Sequence, residues 1–332
     1  MRNVEIKGYG IYLPKNIVKF EDQTRYRIGK DENENQITLA TKAIKIALEN
    51  AKMEIKDIDL IVSASAVGHQ PIPCNAALIH EQIAKGTDIP AMDIGTTCTS
   101  FITAFDTISY LIEADRYNNV IIVSCDFASI GLNPNQKESY ELFSDCAVAV
   151  ILSKCEEGKA GVLFGMQKTW SEGAHSTEIR GGLTGYDVRK YTGDNLADYQ
   201  FDMKGRQILT IAARKLPEMF NEFYEKSGIT LENVNMVVPH QASKALDLIM
   251  KKIGIPENKY INMVADYGNM VSSSVPFAMC RAIQDGKIKK GDTILLVGTA
   301  AGLTSNILAI KYWYNKSVFY FNDYAHFFIL NI

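Results

Sequence analysis

No stretch of this 332-residue chain approaches the ~20 consecutive apolar residues of a membrane helix. Its N-terminus, MRNVEIKGYGIYLP, alternates like a strand and lacks the apolar centre of a signal peptide. Excess charge is also missing. A net charge of −3 gives no basic footprint for nucleic acid. The six cysteines (Cys74, Cys98, Cys125, Cys146, Cys155, Cys280) contain no Cys-x-x-Cys pair. That argues against a zinc knuckle or a disulfide framework and fits a reducing cytoplasm. What remains is an ordinary globular composition, 47% hydrophobic and 22% charged. The length suits two domains or one large duplicated one.

The chain carries signs of duplication. ENAKMEIKDIDLIVSASA (Glu49 to Ala66) and EKSGITLENVNMVVPHQA (Glu225 to Ala242) both read as helix end, loop and buried strand, at an offset of 176 (225 − 49). AFDTISYLIEADRYNNVIIVS and AMCRAIQDGKIKKGDTILLVG match in the same way at an offset of 174 (278 − 104). Helices alternate with short β-branched runs such as DLIVSAS, VIIVSC, AVAVILS, NMVVPH and TILLVG. This predicts an α/β protein of two similar halves forming a layered internal pseudo-dimer. The expected boundaries are 1–160, 161–315 and an aromatic tail at 316–332 whose role the sequence does not give.

Cys98 stands between Thr97 and Thr99, before apolar residues spaced along one helical face: Phe101, Ile102, Phe105, Ile108, Leu111 and Ile112. A thiol at a helix N-terminus is expected to have a lowered pKa, although most free cysteines are small buried hydrophobes. At the offset of 174, Cys98 falls opposite Ser272, just after Gly268 and Asn269. His240 stands at a strand exit where the first half has Ala64. Alone, His240 is an ordinary strand-end histidine and Asn269 an ordinary turn residue. Together, a cysteine can hold an acyl thioester, and a histidine and an asparagine can donate hydrogen bonds to an oxyanion. GTAAGLT, from Gly298 to Thr304, offers close backbone approach near the end of the chain. His69, His80, His175 and His326 lack such company and read as surface or packing residues.

GTTCTSF, VVPHQAS, DYGNMVSSSVP and GTAAGLT, in this order and spacing, resemble the β-ketoacyl-acyl-carrier-protein synthase III group of thiolase-fold condensing enzymes. The likeness runs from about Val4 to Tyr312. It implies Cys98 as nucleophile, His240 and Asn269 as the decarboxylation and oxyanion pair, and a second oxyanion hole from the backbone N–H groups of Cys98 and Ala301. The implied reaction joins a Cys98-bound acyl group to a malonyl-type thioester on acyl carrier protein, with loss of carbon dioxide. The product is a 3-oxoacyl thioester for fatty acid initiation or secondary metabolism. No metal or resident cofactor is implied, since substrates arrive as phosphopantetheine or coenzyme A thioesters. A homodimer is implied. In LFSDCAVA, Phe143 is a candidate for the acyl pocket and Cys146 reads as packing.

Further absences separate relatives. A thiolase would carry a second cysteine in the C-terminal glycine turn, and GTAAG has none. A hydroxymethylglutaryl-type synthase would need a glutamate in AVGHQPIP. Elongating synthases use a second histidine where this chain has Asn269. Plant-type polyketide synthases share the Cys/His/Asn set, but the other motifs match them less well. The segment after YLP is shorter than usual in initiating synthases. It has Arg25 and Arg27 but not the tryptophan that grips coenzyme A, so coenzyme A and carrier protein both stay open as donor. Lys244, Lys251 and Lys252 fall at i, i+7 and i+8 of a helix expected after His240, and form a candidate carrier-docking face. The alternatives are an acyltransferase that passes the acyl group to a non-carbon acceptor, and a degenerate partner subunit, against which Cys98 argues.

Overall fold

The computed structural model describes residues 1–21, 23–29 and 33–313. The expectation for the tail at 316–332 lies outside them. The β-branched runs form two sheets. The first contains β1 (Val4–Tyr12), β4 (Leu60–Ser63), β5 (Ala91–Asp93), β6 (Asn119–Asp126) and β7 (Cys146–Lys154), in the order β1-β7-β6-β4-β5. The second contains β8 (Gly161–Thr169), β11 (Met236–Pro239), β12 (Thr293–Ala300) and β13 (Thr304–Lys311), in the order β8-β13-β12-β11. The second path retraces the first up to its last strand. There, Tyr260 makes only a single parallel bridge to Val237. A hairpin of β2 (Asn16–Phe20) and β3 (Gln23–Arg27), and a small pair of β9 (Thr177–Glu178) and β10 (Asp202–Met203), lie outside the two sheets.

Helices cover both sheets. The strand β6 shows why two faces need cover: Val120 and Ile122 pack into the central core, while Ile121 and Val123 pack into an outer one. The central core holds helices Ser100–Glu113 and Ser274–Gln284, with Phe101, Phe105, Ile108, Val275 and Phe277 buried between the sheets. Helix Gln36–Ala51 covers the outside of the first sheet through Leu39, Ala43, Ile44 and Ala47. Helix Gly205–Ser227 covers the second through Met219, Phe220 and Phe223. Cys146 is buried in the central core, as its reading as packing expects.

The duplication extends to single bonds. Thr97 and Val271 both take left-handed φ values, 51° and 52°. Thr96 N–H donates to Ser100 Oγ at 2.9 Å, and Met270 N–H donates to Ser274 Oγ at 2.9 Å. Ala64 N–H donates to Val123 O at 2.7 Å, and His240 N–H to Val297 O at 2.7 Å. Each half therefore enters its central helix through the same sharp turn.

One buried carboxylate ties the second of these turns to the first half. Asp126, at the end of β6, accepts from Ala66 N–H (2.8 Å) and Val67 N–H (3.2 Å) in its own half. Its other oxygen accepts from the backbone N–H (3.0 Å) and hydroxyl of Ser272 in the second half. Burial raises the pKa of Asp126, and these four donors lower it. Asp126→Asn would turn one of the two oxygens into a donor facing donors. We expect a loss of about 2–4 kcal/mol in urea unfolding. A loss below about 0.5 kcal/mol would show that the carboxylate does not join the halves.

Candidate active site

The apolar run after Cys98 forms a helix, as its spacing predicts. A 3-10 turn, Thr97–Thr99, leads into helix Ser100–Glu113. Ser100 Oγ fixes this turn, accepting from Thr96 N–H and donating to Thr97 O (2.7 Å). The turn packs against its counterpart, Val271–Ser273. Cys98 meets an apolar cluster that includes Leu132, Phe143, Val271 and Val297, with Ala66, Trp170 and Phe201 at its edge.

Burial overturns the expectation of a lowered thiol pKa. It pushes Cys98 up to about 12, with a further rise from the Asp126 charge. Backbone N–H groups of Ala301 and of Cys98 itself donate toward the sulfur and oppose the rise. These are the two groups that the resemblance names as the oxyanion hole, and both lie close to the Cys98 sulfur.

His240 leaves β11 beneath Val297 and is buried. Burial lowers its pKa to about 4, so the ring is neutral near pH 7. Its Nδ1 has no hydrogen-bond partner among the described residues. Asn269 is buried as well. Its Oδ1 accepts from Val271 N–H (2.8 Å), and its Nδ2 donates to Ala242 O (3.2 Å), two residues beyond His240. Phe143 makes a parallel bridge to Asn269 and meets Phe201 edge-on with centroids 4.9 Å apart. Cys98, His240, Asn269, Ala301 and Phe143 thus come together where the two halves meet.

Two further expectations change. Lys244 is not helical, because the helix starts at Leu246. Ser243 Oγ accepts from Ala245 N–H at 3.2 Å and holds a turn there instead. Lys251 and Lys252 form the helix's last turn, where cations suit the dipole. All three lysines are exposed, and none forms an ion pair among the described residues. Arg25 and Arg27 are buried and donate to backbone carbonyls, so neither guanidinium grips a ligand at the surface. Trp170 and Phe201 went unnoticed in the sequence, where neither sits in a motif or a periodic run. His69 and His175 are exposed, and His80 is half-buried beside Thr87. His326 lies outside the described residues. Among the described residues no group of three or more His, Cys, Asp or Glu side chains is placed to hold a metal ion.

Residues 92–168 match the 3-oxoacyl-[acyl-carrier-protein] synthase III family, and residues 224–312 match its C-terminal region. The β-ketoacyl-[acyl-carrier-protein] synthase III of Clostridium perfringens is 31% identical over 327 residues, 94% of this chain and 100% of the relative. That of Aquifex aeolicus is 30% identical over 324 residues, 93% and 99% of the two chains. The crystal structure of the Aquifex aeolicus VF5 3-oxoacyl-[acyl-carrier-protein] synthase III superposes with a TM-score of 0.81 at 27% sequence identity, covering 93% of this chain and all of that one.

A half-buried thiol raised to about 12 predicts a definite pH dependence. Alkylation of Cys98 by iodoacetamide, followed by peptide mapping, should rise about tenfold per pH unit between about pH 7 and 9, as the thiolate fraction grows. A plateau below about pH 8 would mean that the backbone N–H groups outweigh burial.

Proposed function

Because this chain belongs to the 3-oxoacyl-[acyl-carrier-protein] synthase III family, we infer that it catalyses the decarboxylative condensation that starts a fatty acid chain. An acyl group on Cys98 is joined to a malonyl thioester on acyl carrier protein. The observation that carries the assignment of roles is the convergence of two backbone N–H donors on the Cys98 sulfur, beside a neutral His240 and a side-chain-anchored Asn269.

Cys98 sulfur attacks the donor thioester carbonyl. The oxyanion that develops takes the N–H groups of Cys98 and Ala301, and the departing thiol leaves with the proton from Cys98. The malonyl thioester then enters. Its carbon–carboxylate bond breaks, carbon dioxide leaves, and the electron pair forms an enolate at the thioester. A neutral imidazole and a carboxamide suit this step because each can offer an N–H to the enolate oxygen. A cationic histidine would be hard to sustain at a site where burial lowers the pKa to about 4. The enolate carbon attacks the acyl carbonyl, and the Cys98 thiolate is expelled as the 3-oxoacyl product forms.

Phe143 and Phe201 bound the apolar space around the acyl chain in this reading. With Arg25 and Arg27 turned inward, the carrier protein delivers the donor acyl group as well as the malonyl unit. Lys244, Lys251 and Lys252 form its docking surface, since an acidic carrier must bring its flexible arm to Cys98. A second copy of this chain completes the assembly. Support comes from β5, an edge strand of the first sheet, and from the exposed run at 67–74, in which Ile72 is 84% exposed. Six free cysteines suit a reducing compartment.

The division of labour is testable by half-reaction. His240→Ala and Asn269→Ala should each still acylate Cys98, read by intact-protein mass spectrometry. Each should lose roughly 100- to 1000-fold in carbon dioxide release from malonyl carrier. Unchanged release in both variants would remove the pair from the decarboxylation step.

Docking has its own signature. Charge reversal at Lys251 and Lys252 should raise the apparent KM for carrier-bound substrates by about three- to tenfold at low salt, and less at high salt. Small thioester mimics should react as before. Equal losses with both substrate types would place the lysines in folding or chemistry instead.

A further inference from the structure

Arg25 has no part in the reaction described above, yet its side chain is fully buried. It sits on β3, which runs beside the loop at 140–145. Asp145 N–H donates to Tyr26 O (2.7 Å), and Tyr26 N–H donates to Ser144 Oγ (3.1 Å). Asp145 Oδ2 accepts from Ile28 N–H (2.8 Å). Arg27 adds bonds to Phe143 O (3.2 Å) and Tyr140 O. This loop grips the backbone of Asn269 from both sides. Asn269 N–H donates to Leu142 O at 3.0 Å, and Asn269 O accepts from Ser144 N–H at 2.9 Å.

Arg25 ties that loop to the segment leading into Asn269. Its Nε donates to Glu141 O (2.8 Å), the residue before Leu142. Its Nη1 donates to Ala265 O (2.9 Å), in the short helix Val264–Tyr267 just ahead of Asn269, and to Thr24 O (2.6 Å). Its Nη2 donates to Gln23 Oε1. Gly268 has a φ of 71° and lies directly against this guanidinium. A Cβ there would come within 2.7 Å of Arg25 Nε and 2.2 Å of Leu142 O. The planar fork is what spans carbonyls from two separate segments, and a lysine ammonium cannot reproduce that span. Cys98 is held by other contacts, through Ser100 and Ala301.

We propose that Arg25 is a positioning residue for Asn269, and so governs the decarboxylation half of the reaction without touching substrate. The proposal rests on the condensing reading given above. It separates the two half-reactions, because the clamp sits on the Asn269 side and not on the Cys98 side. Displacing a catalytic donor by about 1 Å can cost on the order of a hundredfold in rate.

The test measures both half-reactions in Arg25→Lys. Carbon dioxide release from malonyl carrier should fall by about ten- to a hundredfold, with Cys98 acylation, read by intact mass, within about twofold of wild type. In an Asn269→Ala background the same substitution should add no further loss of carbon dioxide release, because it acts through the missing side chain. Equal losses in both half-reactions would overturn the proposal, and so would a full additional loss on top of Asn269→Ala. Should Arg25→Lys fail to fold, Gln23→Leu repeats the test. It removes one acceptor and leaves the guanidinium in place, so the ratio of the half-reactions should shift in the same direction, and an unchanged ratio would overturn the proposal. A wild-type protein that acylates Cys98 but releases no carbon dioxide refutes the condensing reading itself, and is thereby distinguished from a failure of Arg25's role.

Discussion

The Asp126 carboxylate, held by donors from both halves, is the interaction on which the site depends. Neither half contains all of the groups that the proposed reaction uses. Cys98 belongs to the first half, and His240, Asn269 and Ala301 belong to the second. The turns that present Cys98 and Asn269 are equivalent in backbone, down to φ values of 51° and 52° and the serine that fixes each from inside. Asp126 receives Ser272 from the second turn and the strap at Ala66 and Val67 from the first half. Each of its oxygens serves one half. The site is therefore a consequence of duplication followed by divergence at the strand exit, where one copy has Ala64 and the other His240.

Two opposing effects set the state of Cys98, the nucleophile in the proposed reaction. A helix N-terminus favours a thiolate by about 0.3–1 kcal/mol, and by up to about 2 in good geometry. A rise from 9.0 to about 12 corresponds to about 4 kcal/mol in the other direction. Burial therefore wins at rest, and the thiol stays protonated. The same apolar surroundings suit an acyl thioester, which is neutral. They also strengthen the N–H groups of Cys98 and Ala301 against a developing oxyanion. His240 follows the same logic, since burial keeps it neutral and able to donate without bringing in a charge. In the proposed reaction, a site that disfavours resting charge while offering oriented donors stabilises the transition state more than the ground state.

The features legible in the sequence were those with a local period or a repeat. The strands, the central helices and the offset between the halves follow from alternation and helical spacing, and they locate Cys98 and Asn269 at paired turns and His240 at a strand exit. Features set by long-range packing were not legible. Arg25 and Arg27 carry charge, and charge reads as surface, but the Glu141 and Phe143 carbonyls they bond lie more than a hundred residues away. Phe201 meets Phe143 across 58 residues of chain (201 − 143), and nothing in YQF marks it. The raised thiol pKa of Cys98 escapes the sequence for the same reason, because the helix start is local and the apolar cluster is not. Lys244 was placed on a helix by spacing alone, and a serine turn of one hydrogen bond moved the helix start past it.

The central claim is that carbon–carbon bond formation follows acylation of Cys98. Incubating the protein with an acyl donor and malonyl carrier protein, then weighing the carrier by mass spectrometry, tests it most directly. The account predicts a carrier bearing a 3-oxoacyl group, formed together with carbon dioxide and absent with Cys98→Ala. A carrier or other acceptor that gains the unextended acyl group, with the malonyl unit intact, would contradict it and reveal an acyltransferase on the same scaffold.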